Sequence, residues 1–482
     1  MMQPVINLSL ISHTNVGKTT LARTLLRRDV GQVFNQAHVT DEAEKFPLIQ
    51  TGDGAVVNLW DTPGFGDSTR LLKRLKQSEK SFLKFLTGIW DRIANRSLWC
   101  SQQAILNVRD QADAVLYLAN VSEGPDEAAY IRSEMKILEW LGKPIVVLLN
   151  QMGSPKDKSS EERELNRWQD FFSAISNNTE VIVFDAFARC WVQEEVLWTK
   201  IRDVLPRNRR SLMQECLEYS RARNIKLFRS SVQRISAALV EIVRDREVLP
   251  PRNMVEKFLG PVTERLREPQ KQAMEKLGER MATRVTAAVS DLIELHDLSG
   301  EAARQIEEVF EDHFNVSRRA SKSVLGAAGA AISGALGGLA TDALAGGMTF
   351  GGGMVAGGIA GFIGAIAAAE GINVFRGEKE ESVRWSAKFI NGVIESMVLR
   401  YLAVAHFGRG RGEWAESNQP DFWKELVVEL TVAEEAHVER EVAQLQKGSE
   451  RSDGLESIIR IIAANSLQRL YPQAFPKELL PS

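Results

Sequence analysis

The sequence predicts an α/β domain with a mostly parallel sheet over residues 1–205, then a mainly α-helical region containing an apolar Gly/Ala-rich hairpin. Three observations lead there. Short apolar runs alternate with longer helical stretches through the first 205 residues, the rhythm of βαβ units. From about 206 onward the apolar residues recur at helical spacing instead. Between Lys322 and Glu370 the chain turns Gly- and Ala-rich, with Asp342 its sole ionisable residue.

The elements follow in order. Val5–Ile11 reads as a buried strand and Lys18–Leu26 as a helix. Ala55–Trp60, Ala114–Ala119, Ile145–Leu149 and Val181–Phe184 are further apolar runs of strand length. Between Gly66 and Ala112, Leu71, Leu72, Leu75, Phe82, Phe85, Leu86, Ile89, Trp90 and Ile93 are interleaved with Lys and Arg. That pattern suits an amphipathic helix, packed on the protein itself or offered to a partner or membrane. Val232, Ile235, Leu239 and Ile242 mark a helical domain or stalk over 206–322, broken at Pro250-Pro251. The Gly-rich hairpin takes 323–375, and 376–482 returns to charged, helix-period sequence with a loop at Gly408–Gly412.

Composition narrows the function classes. Of 482 residues, 44% are hydrophobic and 26% charged, an ordinary globular balance. A net charge of −3 supplies no bulk attraction for nucleic acid, and no nucleic-acid module is evident. Cys100, Cys190 and Cys216 are scattered, which excludes a disulfide framework and fits a reducing compartment. The six histidines show no zinc spacing. The start, Met-Met-Gln-Pro-Val, lacks a signal peptide's basic segment and cleavage site, so a cytoplasmic strand is expected.

Two motifs carry chemistry. Ser12-His13-Thr14-Asn15-Val16-Gly17-Lys18-Thr19 lies between the first strand and the first helix. A phosphate-binding loop needs inward backbone N–H groups, a helix N-terminus behind them and a lysine. Gly17 allows close backbone approach, Lys18 reaches the β- and γ-phosphates, and Thr19 places a hydroxyl on Mg²⁺. Ser12 stands where the pattern has its first glycine, and tolerating it requires a negative φ. About 45 residues on, the strand Val56–Trp60 runs into Asp61-Thr62-Pro63-Gly64. Asp61 is placed to hold Mg²⁺ through water, and the Gly64 N–H to sense the γ-phosphate.

With Phe65-Gly66-Asp67 following, these motifs resemble the Era/TrmE-like branch of translation-factor-class GTPases. The full layout is similar to bacterial GTPases of this branch with an uncharacterised C-terminal helical domain. The motif-level resemblance covers 1–205. It implies GTP and GDP as ligands, Mg²⁺ as cofactor, and a switch threonine, Thr40, closing on Mg²⁺ and the γ-phosphate. It also implies K⁺ beside the phosphates at Asn15; the alternative is an asparagine that supports the turn. The implied nucleotide-binding set is Asn15, Val16, Gly17, Lys18, Thr19, Thr20, Asp61, Gly64, Asn150, Gln151 and Ala186. Thr19, Thr40 and Asp61 form the metal set, and Lys18, Thr40 and Gly64 the catalytic set.

Two positions depart from the family. Asn-Lys-x-Asp is expected after Ile145–Leu149, but the chain reads Asn150-Gln151-Met152-Gly153. The missing carboxylate removes charge-assisted bonds to guanine, each contributing roughly 1.5–3 kcal/mol. Asn150 remains for the base, with Asp157 as a candidate substitute. The Asp185-Ala186-Phe187-Ala188 turn occupies the second base-contacting position, through the Ala186 backbone. Phe65 stands where a water-orienting glutamine commonly follows the glycine, and a phenyl ring cannot orient water. Slow hydrolysis is expected, helped by K⁺, a partner G domain in a homodimer, or an activating protein.

In the Gly-rich stretch, Ser323–Thr341 is 19 residues and Ala343–Ala369 is 27, against the about 20 that a bilayer span requires. Gly353, Gly357, Gly361, Ala365 and Ala369 recur every four residues, the small-residue logic of membrane helix pairing. Membrane association through 323–369 is expected, with a buried hairpin and a loose linker as alternatives. Arg318, Arg319 and Lys322 before it, and Arg376 and Lys379 after it, place both ends on the cytoplasmic side of a bacterial inner membrane. The expected function is a slow GTPase whose nucleotide state controls a membrane-associating helical half. The rivals are a non-hydrolysing nucleotide-gated scaffold and a dynamin-like membrane-remodelling GTPase.

Overall fold

A computed structural model describes residues 4–27, 43–77, 96–150, 158–176, 179–184, 190–250, 268–298, 372–376, 380–406, 421–472 and 474–480. The chain divides into two compact units, Met1–Ile225 with 406–411, and Lys226–Ala405 with Gly412–Ser482.

The first unit is an α/β domain built on a six-stranded sheet of order β2-β3-β1-β4-β5-β6. Its strands are β1 (Val5–Ser12), β2 (Glu44–Gln50), β3 (Val56–Asp61), β4 (Ala114–Asn120), β5 (Ile145–Asn150) and β6 (Thr179–Val183). All neighbouring pairs are parallel except β2 on β3. The helices are α1 (Lys18–Leu26), α2 (Ser68–Gln77), α3 (Arg96–Gln111), α4 (Ala129–Leu141), α5 (Lys158–Ser173), α6 (Trp191–Val204) and α7 (Arg207–Arg244), which continues into the second unit. Strand alternation splits the core in two. Leu116 and Leu118 of β4 face Leu8, Leu10, Leu21 and Trp198, while Val115 and Tyr117 face Ile11, Met135, Trp168 and Phe172.

The sequence reading missed β2. Its residues Glu-Lys-Phe-Pro-Leu-Ile-Gln carry a central proline, which argues against a strand. An antiparallel edge strand tolerates it, and the register shifts between Pro47 and Ile49. The helix expected after Gly66 is present as α2, with Leu71 and Leu75 buried in the core. Phe82, Phe85, Leu86, Ile89, Trp90 and Ile93 lie outside the described residues.

The sheet order positions the site. β1 has β3 on one side and β4 on the other, so successive crossovers leave in opposite directions and open a crevice beyond its carboxyl end. The phosphate-loop motif follows there. At the opposite end of the sheet, the first part of α7 is fastened down. Arg209 donates to the Val5 carbonyl at 3.0 Å, and Thr51 donates to Glu215 at 3.3 Å.

The second unit is mainly helical. Val232, Ile235, Leu239 and Ile242 are all buried along α7, as their helical spacing predicts. α8 (Glu268–Leu295), α9 (Ala387–Ala405), α10 (Asp421–Ala433), α11 (Glu435–Gln446) and α12 (Asp453–Leu470) follow. Asp245, just past the end of α7, is gripped by Arg280 and Arg284 of α8. Burial pushes its carboxyl up, but the two guanidinium groups overcome this and hold it below its ordinary value. A small antiparallel sheet of order β7-β9-β8 was not anticipated. It comprises β7 (Glu247–Val248), β8 (Ile372–Arg376) and β9 (Glu381–Trp385). Each strand is two to five residues long, too short for a clear period-2 signal. No described helix is long and apolar enough to cross a membrane. The Gly-rich segment 323–369 and the loop at Gly408–Gly412 lie outside the described residues.

Candidate functional site

The turn after β1 needs two left-handed residues. Asn15 takes φ 65° and Gly17 φ 97°. Asparagine is among the few side chains that adopt this region readily, and glycine does so freely. Gly17 is also the N-cap of α1, so no side chain blocks the first N–H groups of the helix. Val16 and Thr20 are buried on either side and anchor the loop, while Asn15 is exposed. Ser12 is not among the positive-φ residues, so its Cβ brings no backbone strain.

Lys18 turns back over the loop. Its Nζ donates to Ser12 Oγ at 3.0 Å. Burial pushes the amine below its ordinary value, opposed by the nearby carboxylates of Asp61 and Glu134. Thr19 Oγ1 donates to Asp61 Oδ2 at 2.8 Å. The other oxygen, Asp61 Oδ1, is buried with no hydrogen-bond partner among the described residues. Burial also raises the Asp61 carboxyl, against the pull of Lys18 and the Thr19 hydroxyl. A buried orphan carboxylate oxygen beside a threonine hydroxyl is a costly arrangement unless a cation completes it. This oxygen set fits Mg²⁺.

The segment after Asp61 is zipped onto the loop. Thr62 Oγ1 donates to the Leu10 carbonyl at 2.7 Å. The Phe65 N–H donates to the Ser12 carbonyl at 2.9 Å, and the Thr14 N–H to the Phe65 carbonyl at 3.2 Å. Gly64 is thereby pressed against the loop. A Cβ there would lie 3.0 Å from both Lys18 Nζ and Thr14 Cα. The Phe65 ring is fully buried in the core.

Asn150, at the end of β5, is fully buried and donates from Nδ2 to the Val16 carbonyl at 2.9 Å. The end of β5 therefore braces the phosphate loop. Thr40, Gln151, Asp157 and Ala186 lie outside the described residues.

Sequence reasoning missed a polar cluster behind the loop. Glu134 of α4 is fully buried. Its Oε1 is 2.7 Å from His13 Nδ1, and its Oε2 accepts from the Tyr117 hydroxyl at 2.7 Å. The His13 ring stacks on Tyr130, centroids 4.1 Å apart. Burial raises the Glu134 carboxyl, while His13 and Tyr117 pull it down. A signal did exist. Ile131, Met135 and Leu138 form the apolar face of α4, and Glu134 sits on that same face. A charged residue inside a core stripe requires a partner.

Residues 7–151 match the family described as 50S ribosome-binding GTPase, and residues 176–460 match the domain of unknown function DUF3482. Among solved structures, the chain is similar to Aquifex aeolicus Era bound to GDP·AlF4⁻, at 15% identity and TM-score 0.30, covering 59% of this chain and 89% of that one. Era in complex with MgGDPNP and a fragment of 16S ribosomal RNA gives the same figures. The FeoB G domain of Methanococcus jannaschii is similar at 14% identity and TM-score 0.23, over 38% of this chain and 86% of that one. No curated protein matches the chain. A P-loop GTPase match at the start of the chain is thus followed by a DUF3482 match over more than half of it, and the protein belongs to the DUF3482 family.

Proposed function

We propose that this protein binds GTP with Mg²⁺ at the Ser12–Thr19 loop, hydrolyses it slowly, and uses the nucleotide state to control its helical C-terminal half. The Thr19–Asp61 hydrogen bond beside the orphaned Asp61 Oδ1 carries the reading. Thr19 and Asp61 would hold the metal, joined by Thr40 from the switch segment. Mg²⁺ would neutralise phosphate charge. Lys18 supplies the second positive charge, and Gly64 offers its N–H where the γ-phosphate would lie. Asn15 is the residue that would border a K⁺ ion, and its left-handed φ serves the turn in either case.

Slow turnover rests on Phe65. Its ring is sealed in the core and its N–H and carbonyl are both paired with the loop, so neither orients an attacking water. A partner G domain in a homodimer, K⁺, or an activating protein would supply what is missing.

Guanine preference rests on the family. The competition of GTP and ATP against a labelled nucleotide tests it. GTP is expected to displace the label at lower concentration, and equal displacement overturns guanine selectivity. Turnover in KCl against NaCl, over a range of protein concentrations, tests the assistance. Fast turnover independent of both contradicts it.

Membrane association through 323–369 is supported by the sequence of that stretch, which holds Asp342 as its lone ionisable residue. Fractionation of the full chain with and without 323–369 tests it. The full chain is expected in the membrane fraction and the deletion in the soluble one; identical distributions overturn the membrane reading.

A further inference from the structure

Ser12 occupies the place where the phosphate-loop pattern carries glycine, and the structure gives its hydroxyl a specific task. Ser12 ends β1 and is fully buried. Its main chain accepts from the Phe65 N–H at 2.9 Å, which holds the residue in place. Its Oγ donates to the His13 carbonyl at 2.5 Å. A hydroxyl has one proton, so that bond aims the oxygen's lone pairs away from His13. Lys18 Nζ lies on the accepting side at 3.0 Å.

The ammonium is in a tight place. It is buried, and Gly64 is packed so close that an added Cβ would meet it at 3.0 Å. A buried ammonium is strongly disfavoured unless acceptors replace its water. Asp61 and Glu134 supply charge nearby, and Ser12 Oγ supplies a directed hydrogen bond. Glycine at this position leaves that bond unmade. With a negative φ, serine brings the bond at no conformational cost.

We propose that Ser12 is a positioning residue for Lys18, whose hydroxyl holds Nζ toward the β- and γ-phosphates, so that restoring the usual glycine weakens the site. The inference rests on the triphosphate-binding reading given above. Because Lys18 reaches the γ-phosphate, a misplaced amine costs the triphosphate more than the diphosphate. A general loosening of the loop costs both alike.

The test uses the full-length protein and four variants, Ser12→Gly, Ser12→Ala, Ser12→Cys and Ser12→Thr. Affinities for GDP and a non-hydrolysable GTP analogue are measured with Mg²⁺ by fluorescence titration, alongside thermal unfolding of the nucleotide-free protein. Glycine and alanine are expected to weaken the GTP analogue by about tenfold, the scale of one hydrogen bond to a charged group, with GDP affected less. Cysteine, nearly isosteric but a weak acceptor, preserves the fold and shows the same selective loss. Threonine keeps the hydroxyl and restores the triphosphate preference. Equal or tighter binding of the GTP analogue by Ser12→Gly overturns the proposal, as do equal losses for GDP and the analogue across the glycine, alanine and cysteine variants. Absence of nucleotide binding by the wild-type protein instead overturns the triphosphate-binding reading itself.

Discussion

Asn150 donates from its side-chain amide to the Val16 carbonyl at 2.9 Å, so the end of β5 and the phosphate loop are held as one piece. Both partners are buried, and the bond spans 134 residues of sequence. Removing a buried donor leaves its carbonyl unsatisfied, at about 1–3 kcal/mol.

Asn150→Ala is therefore expected to weaken GTP and ATP binding by the same factor. Competition titrations against one fluorescent nucleotide read this directly. A loss confined to guanine nucleotides would show that Asn150 acts on the base and not on the loop.

Gly64→Ala places a methyl group 3.0 Å from Lys18 Nζ and Thr14 Cα. One of these must shift, and both belong to the Ser12–Thr19 loop. Turnover is expected to fall by at least about tenfold, while GDP, which does not require the Gly64 N–H, still binds. Steady-state phosphate release and GDP titration together measure the split. Unchanged turnover would mean that Gly64 does not meet the γ-phosphate.

The Glu134 cluster gives a pH-dependent stability. Burial holds the carboxyl above its ordinary 4.5. An acid with a raised folded value binds its proton more tightly when folded. The stability it contributes is thus present below about 4.5 and lost as pH rises through the raised value. The Tm of the wild type minus that of Glu134→Gln is expected to fall as pH is raised from about 4.5. Tyr117→Phe removes the donor to Oε2 and is expected to cost about 1–3 kcal/mol by urea unfolding. A Tm difference flat in pH, with no cost for Tyr117→Phe, would contradict the hydrogen-bonded cluster.

The α/β layering and the phosphate loop were legible because both are local. Apolar runs such as Val5–Ile11 and the spacing of Gly17, Lys18 and Thr19 are written in consecutive residues. What stayed hidden depends on distant partners or on exceptions. β2 tolerates Pro47 because it is an edge strand, and edge status is a property of the assembled sheet. Glu134 meets His13 across 121 residues, and no local pattern announces that contact. Ser12 was visible as a departure, but its bond to Lys18 exists because the loop folds the lysine back over β1. Asn150 reads as a base contact from its motif, and its bond to the Val16 carbonyl joins residues 134 apart, which no local pattern shows. The short strands β7, β8 and β9 carry too few residues for periodicity to separate them from helix.

Lys18, Thr19, Asp61 and Gly64 are proposed to make one Mg²⁺–triphosphate site. Its most direct measurement is titration of a fluorescent GTP analogue into the wild type, Lys18→Ala and Asp61→Asn, each with Mg²⁺ and with EDTA. Saturable wild-type binding that EDTA weakens is expected, with severe loss in Lys18→Ala at both conditions and an Asp61→Asn variant whose binding no longer responds to Mg²⁺. Equal binding by all three proteins, unaffected by Mg²⁺, would contradict it.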